Sequence, residues 1–373
     1  MRVLLTTDTI GGVWTFTQDL TAELLGRGHA VALVSFGQAL SLAQVEWCQA
    51  AVARFGTRFR YDVCEAALEW MAVNEEAYTG GEALLLRVAE EFGADLMHAN
   101  QFCFGALPVS IPKVITAHSD VLSWAVACRP EGLDASPWLD RYMRLVGHGL
   151  EGADAVVAPT QWMLDALQQH FPVTCPVDVV LNGRNVPLST KNVRRRMQAV
   201  SVGRMWDEAK NLMLLTQMDA PMPVLVAGAQ RHEDAFAPHD LGKVEALGRL
   251  EETELLALFR SSSVYVVPSV YEPFGLGPLE AAQCGCAVVA NDLASLREVW
   301  GDAALYFQDA AGLEHVLQRL CQGDALRKAQ EKAKRRAWYL TASRMVDGYV
   351  AVYNRLLASP PPVLEGELAV YAG

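Results

Sequence analysis

The chain has 373 residues, 51% of them hydrophobic and 20% charged, a globular composition long enough for two domains rather than one ordinary core. Its net charge of −12 disfavours nucleic acid as a partner, because phosphates reward a basic face. The charge is uneven: residues 1–185 carry a balance of −10 and residues 186–373 a balance of −2.

Arg2 to Thr7 reads as a short strand running into Gly11-Gly12. Phe16, Leu20, Leu24 and Leu25 then recur at helical spacing, and Gly26-Arg27-Gly28 stops that helix. Ala30 to Ser35 follows as a fully buried strand, so the first 35 residues predict a βαβ unit and a parallel sheet. Further strands are expected at 96–98, 114–117, 155–158 and 177–181. After Asn182-Gly183 the rhythm breaks, and residues 184–197, with Pro187 and Arg194-Arg195-Arg196, read as an interdomain linker. It restarts with strands at 199–202, 224–227, 264–267 and 287–290, and closes with helical segments over about 325–357. Ser359-Pro360-Pro361-Pro362 begins an extended tail. Two doubly wound α/β domains would face one another across a cleft, with ligands at the carboxyl ends of the strands.

The apolar stretch Val3 to Leu5 is far short of a signal-peptide core, and no run approaches a membrane span. Eight cysteines form no CxxC pair; Cys284-Gly285-Cys286 reads as small residues at a helix end. Free thiols in a reducing cytoplasm are the expectation.

The most specific segment is Pro268 to Ala282, a strand end leading into a helix, with Glu272 and Glu280 eight positions apart. Gly275 and Gly277 allow close approach of backbone to a ligand, and the amides around Phe274-Gly275-Leu276 open a helix whose positive end suits a diphosphate. The two carboxylates suit sugar hydroxyls, not phosphate. Arg204 and Lys210, at the carboxyl end of the first strand of the second half, could neutralise a departing diphosphate. His118 ends a strand facing the cleft; His98 is its competitor. Gly11-Gly12 is not a GxGxxG fingerprint, and no acidic residue ends the second strand to hold an adenosine ribose; the pair fits a flexible loop whose amides reach toward the donor phosphates or the acceptor. Most tryptophans are expected in the core, with Trp14 and Trp124 as candidate acceptor contacts.

The segment around Glu272 and Glu280 resembles the E-x7-E signature of retaining glycosyltransferases of family 4, which have the GT-B architecture. Gly11-Gly12, Gly28-His29-Ala30-Val31, His118, Asn182-Gly183, Gly203-Arg204, Lys210-Asn211 and Asn291 through Glu298 resemble further motifs of that family, in order. The resemblance implies two Rossmann-like domains, 1–185 binding acceptor and 186–340 binding the nucleotide sugar, with a crossover helix over 341–358 and a tail over 359–373. It implies transfer from a nucleotide-diphosphate sugar, UDP- or GDP-linked, with no cofactor and, since no Asp-x-Asp occurs, no metal. Glu272 would hold the donor sugar, Glu280 the ribose, and His118 the reaction centre. The acidic first half favours a soluble, neutral or cationic acceptor over a membrane surface. A non-catalytic nucleotide-sugar sensor and a NAD-dependent dehydrogenase remain as rivals, the latter without its fingerprint glycines.

Overall fold

The computed structural model describes residues 1–73, 80–187, 193–229 and 244–358. The expected tail at 359–373 and the middle of the expected linker, 188–192, lie outside the described residues.

The first half contains β1 (Arg2–Asp8), α1 (Gly12–Gly26), β2 (Ala30–Phe36), α2 (Leu42–Phe55), β3 (Phe59–Val63), α3 (Gly81–Phe92), β4 (Leu96–Ala99), β5 (Lys113–Thr116), α4 (Val121–Cys128), α5 (Pro137–Glu151), β6 (Ala155–Ala158), α6 (Gln161–His170) and β7 (Val177–Val179). Its seven strands are parallel, in the order β3-β2-β1-β4-β5-β6-β7. Every residue of β2 is buried, as befits a strand covered on both faces. Side chains set the helix starts: the Asp120 carboxylate accepts from the amides of Leu122 and Ser123, and the Thr160 hydroxyl from Met163.

The second half contains β8 (Arg196–Val202), β9 (Val224–Ala227), β10 (Glu245–Gly248), α7 (Glu252–Ser261), β11 (Ser262–Val267), α8 (Leu276–Gln283), β12 (Ala287–Asn291), α9 (Ala294–Trp300), β13 (Ala304–Phe307), α10 (Ala310–Leu320), α11 (Ala325–Ala337) and α12 (Ala342–Ala358). Six parallel strands run in the order β10-β9-β8-β11-β12-β13. The first strand in sequence lies inside each sheet, third from one edge, the doubly wound arrangement whose order reverses beside that strand.

Three strands escape the sequence pattern: β3, β10 and β13. All three are edge strands, and β3 alternates aromatic with charged residues as an edge permits. The expected linker is anchored at both ends, because β8 already begins at Arg196 and Arg184 is buried. The closing helical stretch is two helices. α11 packs Ala329, Ala333 and Ala337 on the second domain. α12 instead buries Met345, Val346, Tyr349, Val352 and Tyr353 with Val3, Leu5 and Phe16 of the first.

Candidate active site

The second-domain wall is built from the loops after β8 and β11, which are stitched together. Asp207 accepts from the Ala209 amide and starts a single tight turn, Glu208–Lys210. Asn211 closes that turn in the left-handed region, φ 47°, and its side-chain amide donates to the Pro268 carbonyl at 3.2 Å. The Val270 amide donates to the Ala209 carbonyl at 2.9 Å. From this frame the Lys210 ammonium donates to the Glu272 carboxylate at 2.7 Å. Gly203 is needed beneath the lysine, since a Cβ there would lie 3.0 Å from Lys210 Cγ. Ser295 donates to the Glu272 carbonyl at 2.7 Å, fixing the loop from the α9 side.

Gly275 takes φ 89° and forms the N-cap of α8, so its freedom is spent on the turn into the helix. A Cβ on Gly277 would lie 2.5 Å from the Tyr265 hydroxyl. That glycine packs closely against Tyr265. Phe274 is buried in the core beneath the helix start, and Leu276 stands above it, half-buried. Pro278 carries no amide hydrogen, so the free amides at this terminus are those before it.

Glu280, one turn further into α8, accepts from Arg184 Nε at 2.8 Å. Burial raises its pKa, and Arg184 opposes that rise. Arg204 turns the other way: its guanidinium donates to Asp207 at 2.6 Å and lies over the Trp206 ring at 4.9 Å. Lys210 and Glu272 are therefore brought together, while Arg204 is paired apart from them and Glu280 is engaged by a cation that the motif does not contain.

The first-domain wall meets this surface at Gly12, whose Cβ position lies 3.5 Å from Leu276 Cδ1. Gly11, at φ 76°, is the N-cap of α1. His118 follows β5 and contacts Phe16 edge-on, with ring centroids 4.6 Å apart. Its Nε2 bonds to Asn100 Oδ1 at 2.8 Å, while Asn100 Nδ2 donates to the Thr6 carbonyl at 2.6 Å. An amide oxygen only accepts, so Nε2 carries the proton and Nδ1 is left as an acceptor. Burial holds the imidazole at about 3, and it is neutral at physiological pH. His98 is fully buried between the Tyr353 and Thr116 hydroxyls, at 2.6 and 2.7 Å, and ties α12 to the sheet. Trp14 packs in the core, 7% exposed and edge-on to Trp47. Trp124 is half-buried on α4 with Arg129 over its ring at 5.8 Å.

Sequence reasoning missed Asn100, Arg184 and Asp19. Asn100 directly follows β4, one strand over from His118, so its position at a strand end was a usable signal. Nothing local marks Asp19 and Arg184 as partners, being 165 residues apart. Among the described residues no three His, Cys, Asp or Glu side chains gather to hold a metal ion, and no helix is long and apolar enough to cross a membrane.

Comparison with known proteins follows the two halves. Residues 10–186 match the model of Glycosyltransferase Family 4, and residues 196–323 that of Glycosyl transferases group 1. A serotype-specific mannosyltransferase of Escherichia coli is 32% identical over 127 residues, covering 32% of this chain and 15% of that protein. An alpha-maltose-1-phosphate synthase of Mycobacterium tuberculosis is 28% identical over 229 residues, 53% of this chain and 58% of that one. These matches thus span less than two thirds of either relative's own length. Among solved structures, sucrose-phosphate synthase from Thermosynechococcus elongatus superposes with a TM-score of 0.73 at 18% identity, covering 96% of this chain and 99% of that one. Anabaena HepE, solved in complex with UDP and glucose, gives 0.71 at 15% identity, covering 95% and 100%. At such identities the likeness is one of fold, the two-domain GT-B architecture.

Proposed function

The chain belongs to the family 4, group 1 glycosyltransferases, and on that premise we propose that it moves a sugar from a nucleotide-diphosphate donor to an acceptor hydroxyl with retention at the anomeric carbon and without a metal. The observation that carries the reading is the Lys210–Glu272 pair at 2.7 Å, held at the entrance to α8, where Leu276 meets Gly12 of the first domain. A carboxylate and an ammonium side by side suit the two ends of a sugar diphosphate. Glu272 would accept from sugar hydroxyls; Lys210, the free amides before Pro278 and Arg204, released from Asp207, would neutralise the departing phosphates. His118 Nδ1 would accept from a sugar hydroxyl, oriented by Asn100, and not act as an acid, because its ring is neutral.

In the proposed step the bond from the anomeric carbon to the phosphate oxygen breaks, and the bond to the acceptor oxygen forms on the same face. The acceptor's proton goes to the leaving phosphate oxygen, so no protein base is required. The rival sensor reading keeps the binding groups and lacks turnover. The acidic first half favours a soluble, neutral or cationic acceptor.

Incubation with a panel of UDP- and GDP-sugars and sugar acceptors, with and without EDTA, tests this directly. Transfer is expected in both conditions, with the donor's anomeric configuration retained in the product by NMR. Loss of activity on chelation or an inverted product would overturn the mechanism. Glu272→Ala and Lys210→Ala are each expected to lower kcat by a hundredfold or more (about 3 kcal/mol of transition-state stabilisation) without unfolding the protein. Near-normal rates in both would reject the site.

A further inference from the structure

One cation in the molecule is surrounded by carboxylates from three helices. Arg184 is 6% exposed. Its Nε donates to Glu280 on α8 at 2.8 Å, its Nη1 to Asp19 on α1 at 3.1 Å, and its Nη2 to Glu252 on α7. The backbone on either side is pinned as well. The Arg184 amide donates to the Leu340 carbonyl at 3.0 Å, Gln283 Nε2 to the Arg184 carbonyl at 2.6 Å, and the Val186 amide back to Gln283 Oε1 at 3.0 Å. A guanidinium fixed at both ends in this way can orient what it binds.

Glu280 spends one oxygen, Oε1, on Arg184. No described residue hydrogen-bonds to its Oε2, which leaves that oxygen for a ligand. Resting on the reading of Glu280 as the group that meets the nucleotide ribose, we propose that Arg184 is a positioning residue for donor recognition: it fixes the Glu280 carboxylate through Oε1, presents Oε2 to the ribose diol, and through Asp19 ties that contact to helix α1 of the other domain. The charge argument is simple. Glu280 is buried near Glu252 and Asp19, all of one sign, and burial lifts both Glu280 and Asp19, the latter to about 6. Without the guanidinium the buried carboxylates would take up protons, and a neutral Glu280 is a poorer acceptor for a ribose hydroxyl.

The consequence is specific to the sugar of the nucleotide. A structural arginine would weaken binding of every nucleotide alike, whereas this one should control ribose against deoxyribose. The experiment titrates UDP, GDP and the 2′- and 3′-deoxy form of whichever binds, by calorimetry, into the full chain and into Glu280→Gln, Arg184→Met, Arg184→Lys and Glu280→Gln/Arg184→Met. The wild type is expected to prefer the ribonucleotide about tenfold or more over a deoxy form, the effect of a hydrogen bond to a charged group. Glu280→Gln and Arg184→Met should each reduce that preference to near unity, and the double variant should add nothing further. Arg184→Lys keeps the charge, guards against misfolding of the methionine variant, and should retain part of the preference. If Arg184→Met, or Arg184→Lys should the former not fold, discriminates as the wild type does while Glu280→Gln does not, the positioning role is wrong and the ribose reading stands. If Glu280→Gln also discriminates normally, or the wild type binds neither diphosphate, the underlying site reading is wrong and this inference goes with it.

Discussion

The two strand-end histidines differ in what their ring nitrogens have left to offer. His118 and His98 both follow apolar runs, both are pushed down to about 3 by burial, and both are neutral at pH 7. His118 retains an acceptor nitrogen with no partner among the described residues, while both nitrogens of His98 are consumed by hydroxyls. The sequence ranks His118 first by context, but the reason His98 cannot serve the cleft lies in Tyr353, 255 residues away. That separation is why no local pattern discloses it. His98 titrates well below its unfolded value of about 6.5, so the unfolded chain binds the extra proton and the fold loses stability as pH falls from 6.5 towards 3. At pH 5 this amounts to about 2 kcal/mol relative to neutral pH. His98→Gln should therefore be clearly destabilised at pH 7.5, and its deficit against the wild type should shrink by about that amount at pH 5. Urea unfolding of both proteins at the two pH values measures the difference, which cancels the opposite contribution of Asp8, pushed up to about 7, and of Asp19. A deficit that is constant with pH would mean His98 is not neutral in the fold.

Among the elements, those the sequence discloses are the ones whose residues face a core on both sides. β1, β2, β6, β11 and β12 are largely apolar runs ended by glycine or polar residues, each nearly continuous in burial, and β8 is buried over its apolar second half. Three of the four edge strands, β3, β10 and β13, are not legible because one side of each is released from packing and the composition relaxes with it, whereas the fourth, β7, is disclosed by its valines. Contacts between backbones are equally hidden, since glycine carries no pattern of its own. α5 crosses the turn Phe102–Ala106 so closely that a Cβ on Gly149 would lie 1.8 Å from the Phe102 carbonyl oxygen, and one on Gly105 1.9 Å from the Gly149 carbonyl oxygen. No rotamer relieves a clash between a Cβ and a carbonyl, so the elements themselves must separate. Gly149→Ala is expected to lower stability by about 3 kcal/mol or more in denaturant unfolding. A loss below about 1 kcal/mol would show that α5 can slide on the turn. The neighbouring Gly147 has open space around its Cβ position and is the control: Gly147→Ala should be neutral or slightly stabilising, because it sits inside a helix.

At the scale of the whole molecule, the domains meet through groups that complete each other's helix ends. The Glu298 carboxylate, on α9 of the second domain, accepts from the Gln161 and Trp162 amides, at 2.6 and 2.9 Å, at the N-terminus of α6 in the first. An anion supplied from one domain thus satisfies orphan amides and the positive helix end of the other. Beside it, Thr160 donates to the Pro273 carbonyl at 3.0 Å, and the Ser119 and Tyr271 hydroxyls meet at 2.9 Å. Pro273 and Tyr271 flank Glu272, so the contacts that close the cleft run through the very loop that would hold the donor sugar. On the proposed mechanism, closing would be coupled to the placement of Glu272, and water would be excluded as that carboxylate is set. Glu298 supplies the only charge in this set of contacts, and its two bonds should dominate their energy. Removing it should cost about 2 kcal/mol, a shift of roughly 30-fold towards the open form. Glu298→Ala is accordingly expected to show a larger radius of gyration in small-angle scattering, recovered only in part when a nucleoside diphosphate is added, with Glu298→Gln intermediate. Where transfer can be assayed, the alanine variant should also divert more donor to water than the wild type does. An unchanged radius together with an unchanged ratio of transfer to hydrolysis would mean the domains are held by the crossover of α12 and the remaining contacts between them, and that the Glu298 contact merely accompanies closure.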